Sequence, residues 1–258
     1  MSNNRTIEDA AALLADCHRR GDNRAAVLHW DVDTPYVDAT LETLRRVLDE
    51  LIGYFEVASP FPPVRAILAP DRPTFDALVA TVLGVPIESP SDPRRIAQAQ
   101  TTDIALLAPS AYAAHSAYTY VAEDYRRMIA HELVHVVQEH LCPNIETSTL
   151  WWDEGLAVYL SQQWRFCGQF GFREPVDEGI RQRQIPDLAE VECNPSFAYS
   201  YGWTLVRFLE MCHGNRGIAH AVRETADGDV FDTLHVDRKA FGPMWHTWLL
   251  GGQAITLG

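Results

Sequence analysis

The residues best suited to chemistry stand in one short run, His131-Glu132-Leu133-Val134-His135, an H-E-x-x-H pattern. Apolar residues recur at helical spacing from about residue 122 to 141, so the run is predicted to lie on a helix that Pro143 ends. Four residues advance a helix by slightly more than one turn, and both imidazoles therefore project from one face. Two nitrogens placed in this way reach a single zinc ion at about 2.0–2.1 Å. Glu132 stands on the same rim, where it can take a proton from a water held by the metal. With 10 His and 16 Glu in 258 residues, random order produces the pattern about 2% of the time.

Two histidines need a third ligand. In the metzincin pattern a Gly stands three residues after the second His and another His six after it. Here those positions hold Gln138 and Leu141, and His140 is one residue out of register. Further on lies Leu150-Trp151-Trp152-Asp153-Glu154-Gly155-Leu156-Ala157-Val158-Tyr159, the start of another predicted helix. Eighteen residues separate His135 from Glu154.

An H-E-x-x-H, then eighteen residues, then a Glu set within W-x-x-E-G-x-A, resembles the gluzincin metallopeptidases. It is the pattern of the aminopeptidase N and leukotriene A4 hydrolase group and of the shorter peptidase MA-like domains. Trp151 to Ala157 fill every fixed position of the second motif, and the resemblance covers roughly residues 100–250. It implies a zincin-like two-lobe catalytic domain of α+β class. It also implies one zinc ion per chain, held by His131, His135 and Glu154, and peptide-bond hydrolysis with Glu132 as general base. Such a His2Glu set keeps a fourth position for water, and its single carboxylate leaves the site a net charge near +1. Asp153, adjacent in the chain, is the rival third ligand. Gly155 offers a close helix–helix approach where a side chain would intervene.

Acyl hydrolysis also needs a donor for the oxyanion. In the aminopeptidase group a Tyr in a Y-x-x-G setting supplies it, and Tyr199 with Gly202 matches that spacing. Tyr201 is the substitute, about 200° further round a helix. The chain departs from the family in lacking a G-x-M-E-N segment: the equivalent stretch, Thr102 to Pro109, has neither Glu nor Asn. Aminopeptidase activity and epoxide hydrolysis are therefore not carried over. In gluzincins this strand is an edge of the sheet, which implies that an extended peptide pairs with its backbone. Two rival readings are a catalytically silent zinc-binding module that docks peptides or proteins, and a metallohydrolase of non-peptide substrates.

The elements that must position these residues can be read more coarsely. In the first half, Ala25–Trp30, Val64–Leu68 and Thr102–Leu107 read as strands, and 7–19, 36–56 and 73–82 as helices. Helical windows recur in the second half at 149–164, 196–212, 216–226 and 238–249, with loops expected at 57–63, 83–95 and 168–196. This order predicts an N-terminal α/β lobe (residues 1–142) and a helical C-terminal lobe (143–258). The charge of −14, from 21 basic against 35 acidic residues, argues against a nucleic-acid or anionic-membrane partner, and the peptide or protein substrate is what the resemblance implies. No apolar run approaches the ~20 residues of a membrane helix, and no secretory signal is visible, so the expected compartment is the cytoplasm. The five cysteines contain no C-x-x-C pair and read as reduced thiols.

Overall fold

The computed structural model describes residues 9–58, 60–143, 149–165, 169–225 and 229–251 of a mixed α/β protein. The chain divides into two compact units, Met1–Glu50 with Ala58–Val136, and Leu51–Val57 with Val137–Gly258.

The first unit is built on a five-stranded sheet: β1 (His18–Gly21), β2 (Ala25–His29), β3 (Val64–Ala69), β4 (Ala97–Gln100) and β5 (Asp103–Leu107), in the order β1-β2-β3-β5-β4. The middle strands β2, β3 and β5 run parallel, with Val27 opposite Ala66 and Ala66 opposite Ile104. β2 is buried along its whole length, and Ala66–Ala69 and Ile104–Leu107 are inaccessible to solvent. Parallel strands covered on both faces carry continuous apolar runs, and these three are the strands predicted from sequence.

The two edge strands, both antiparallel to their neighbours, were not predicted. β1 is His-Arg-Arg-Gly with all four residues exposed, and β4 is Ala-Gln-Ala-Gln, so neither has an apolar signal. The helix expected over 7–19 is thereby corrected. Residues 9–13 are helical, but His18–Gly21 is strand. The turn after it decides this. Gly21 has φ +129°, and a Cβ there would lie 2.2 Å from the Ala25 carbonyl oxygen. Asp22 then accepts hydrogen bonds from the amides of Arg24 (2.8 Å) and Ala25 (3.1 Å), closing a hairpin onto β2.

Helix α1 (Thr34–Tyr54) buries Val37, Leu41, Leu44, Leu48 and Leu51, one stripe at helical spacing. Helix α2 (Arg72–Ala77) starts at Asp71, whose carboxylate accepts from the Thr74 amide at 2.8 Å, and it packs on β3 and β5. A short helix α3 (Tyr112–His115) precedes α4 (Ala122–Leu141), whose limits match the expected 122–141. Glu123 and Asp124 sit in the first turn of α4, where acidic groups complement the helix dipole.

Among the described residues the second unit holds helices and no strand: α5 (Leu150–Leu160), α6 (Glu174–Gln182), α7 (Leu188–Cys193), α8 (Pro195–Glu224), α9 (Val230–Thr233) and α10 (Arg238–Leu250). Two of these lie in the segment expected as loop, 168–196. α6 and α7 are too short for periodicity to declare them, although the capping box of Asp187 with Glu190 marks the start of α7. The two windows 196–212 and 216–226 form one run broken at Gly214 (φ +69°), with residue 226 outside the described residues. Trp203 stacks on Trp164 at 4.9 Å, and the Trp245 indole donates to Thr204 Oγ1 at 3.0 Å. Trp151 and Trp152 are core residues, 1% and 2% exposed.

No described helix is long and apolar enough to cross a membrane. Cys17, Cys142, Cys193 and Cys212 form no disulfide among the described residues, and Cys167 lies outside them.

Candidate metal centre

On α4, Tyr125, Met128, Ile129, Leu133, Val134, Val136 and Val137 are buried, which fixes the helix by its apolar face. His131 and His135 fall on a half-buried stripe between that face and solvent, and Glu132 is only 9% exposed. The two imidazoles meet edge to face, with ring centroids 4.9 Å apart and Nε2 atoms 3.1 Å apart. This separation suits an N–H···N hydrogen bond or joint coordination of one ion. Nitrogens bound at zinc distances to a tetrahedral centre lie about 3.3 Å from one another.

Glu154 lies in the second turn of α5, and the fold around it is set by glycines. A Cβ on Gly155 would stand 2.5 Å from the Gly202 carbonyl carbon, and one on Gly202 would stand 2.6 Å from the Trp151 carbonyl oxygen. The glycine of W-x-x-E-G-x-A and the glycine of Y-x-x-G are therefore each other's neighbours, and α5 and α8 touch backbone to backbone there. Asn194 begins α8 by accepting from the Ser196 amide at 2.9 Å, with Pro195 in the first turn. Tyr199 follows in the next turn, and its hydroxyl donates to Glu154 Oε1 at 3.1 Å.

Tyr201 is committed elsewhere. It is 3% exposed, and its hydroxyl donates to the Pro175 carbonyl oxygen in α6 at 2.9 Å. Burial raises its pKa. Tyr199, by contrast, is 40% exposed and accessible to a ligand. Of the two tyrosines weighed from the sequence, the one with Gly202 three residues on reaches the carboxylate.

Among the described residues, His131, His135 and Glu154 form a group able to hold a metal ion, with their donor atoms all within 4.8 Å of one another. Asp153 does not belong to this group. Two imidazoles and one carboxylate suit zinc, and they equally suit mononuclear iron(II), so the donors by themselves do not select the ion.

One inference about the substrate's seat is corrected. The strand Thr102–Pro109 was expected at a sheet edge, but β5 is paired on both sides, with β3 and with β4. The edge on that side of the sheet is β4, Ala97–Gln100. Its Ala-Gln alternation is too short and too polar to announce a strand, so the sequence reading placed the edge one strand too far in.

Compared with protein-family models and with curated proteins, the chain matches none. The likeness to gluzincins rests on the two motifs and their spacing.

Proposed function

We propose that the protein is a zinc-dependent metallopeptidase of gluzincin type, a zincin-like domain of two lobes acting on a peptide or protein substrate. The observation that carries this reading is the grouping of the His131, His135 and Glu154 donor atoms within 4.8 Å, with Glu132 next to the first histidine. Structural metal sites need no such carboxylate, whereas hydrolysis needs a base. Glu132 also favours zinc over iron here, because its position in H-E-x-x-H is that of the general base of a zinc hydrolase.

Zinc held by these three residues would activate water and polarise the scissile carbonyl. Glu132, only 9% exposed, accepts the proton of the attacking water and passes it to the leaving amine. Tyr199 offers its hydroxyl to the carbonyl oxygen as negative charge develops there. If the peptide binds by strand addition, β4 is the strand it extends.

Metal analysis of the purified protein should find about one zinc per chain. A peptide library should be cut by wild type, while Glu132→Gln retains the metal and loses cleavage by a factor on the order of 10²–10⁴, the range of a general base. A variant as fast as wild type would remove Glu132 from the mechanism. A zinc-loaded wild type that cuts nothing would favour the peptide-docking module.

A further inference from the structure

The Tyr199 hydroxyl has a partner already: it donates to Glu154 Oε1 at 3.1 Å. We propose that Tyr199 is a positioning residue for the metal-binding carboxylate of Glu154, holding it until a substrate carbonyl takes over the hydroxyl. This rests on the metallopeptidase reading above and adds a second task to a residue assigned there only to the oxyanion.

Three observations combine. The terminal carboxylate torsion of Glu is broad and two-fold, so an unassisted Glu154 samples many orientations, and a fixed donor on one oxygen selects among them. The donor is fixed by backbone, since the Gly155–Gly202 contact leaves no side chain between α5 and α8 to act as a spacer. Tyr201, two residues along the same helix, provides the contrast, because its hydroxyl is spent on a main-chain carbonyl in α6.

A phenol has one proton to donate. Tyr199 therefore serves Glu154 or a substrate oxygen, and occupation by substrate transfers the bond from one to the other. Metal affinity and substrate binding are coupled through that one proton. Partners of metal-ligating side chains typically affect metal affinity by about 10–100-fold.

The test compares wild type, Tyr199→Phe, Tyr201→Phe and Glu154→Ala, each stripped of metal and titrated with zinc against a chromophoric chelator. Tyr199→Phe is expected to bind zinc about tenfold or more weakly. Its cobalt(II)-loaded form is expected to show a shifted visible absorption, because the carboxylate is reoriented. Tyr201→Phe should melt at a lower temperature yet bind zinc within about twofold of wild type, which separates positioning from general stability. If Tyr199→Phe binds zinc as tightly as wild type while Glu154→Ala does not, the positioning role is wrong and the metal site stands. If wild type takes up no metal, the metallopeptidase reading fails, and the positioning role falls with it.

Discussion

Asp153 and Glu154 are neighbours in the chain and alike in charge, yet a helix turns about 100° between them, so they cannot serve one point equally. The group able to hold a metal contains Glu154, and Tyr199 donates to that side chain. Glu154→Ala should therefore reduce zinc in the purified protein to a small fraction of one per chain. Asp153→Ala should leave it near one, and metal analysis of the two variants side by side checks this. Equal loss in both would mean that α5 presents a different face. At this scale the sequence was most informative, because chemistry depends on residue type and helical spacing supplies direction. What it left open was the choice between Tyr199 and Tyr201. Only the positions of their hydroxyl partners, a carboxylate for one and a backbone carbonyl for the other, distinguish them.

At the scale of elements, the site depends on α5 and α8 touching through Gly155 and Gly202. A methyl group on Gly202 would meet the Trp151 carbonyl oxygen at 2.6 Å and Gly155 Cα at 3.2 Å, neither of which can rotate away. Gly202→Ala is thus expected to separate the helices, costing about 1–3 kcal/mol as overpacking. It should also weaken zinc binding by lengthening the Tyr199–Glu154 bond. Thermal melting together with zinc titration tests both effects; a variant that melts and binds like wild type would show that the contact is not tight. Legibility here followed burial. The strands buried on both faces and the long helices α1 and α4 were readable because their apolar patterns extend over many residues. β1, β4, α6 and α7 were missed because four to nine residues carry little pattern. The turn at Gly21 and the capping box at Asp187 hold two of them in place through hydrogen bonds rather than hydrophobicity.

For the whole molecule, one buried acid sets an expected pH dependence. Asp33 follows β2 with no solvent exposure, and its carboxylate accepts from the Ser110 hydroxyl, while its Oδ2 has no hydrogen-bond partner. Desolvation raises its pKa, opposed more weakly by Ser110 and by the nearby His29. The native state therefore holds this proton more tightly than the unfolded chain. The stability it confers is full below the ordinary carboxylate value and is lost as pH rises through the raised one. Asp33→Asn, which keeps an acceptor for Ser110 without the charge, should melt above wild type at pH 7, and the gap should narrow as the pH falls toward 4. Melting curves across that range would show a constant gap if Asp33 does not titrate as its burial demands.

Residue types, helical spacing, the ends of α4 and the apolar runs of the central strands are local features, legible in the chain before it folds. These follow from side-chain chemistry and backbone periodicity, which need no distant partner. The tertiary structure alone decided which strand is the sheet edge, that two motif glycines 47 positions apart are neighbours, and which of two tyrosines serves Glu154. Those outcomes depend on strand order and on backbone approach between separate helices. Pairwise contacts of that kind leave no periodic mark in the chain that makes them.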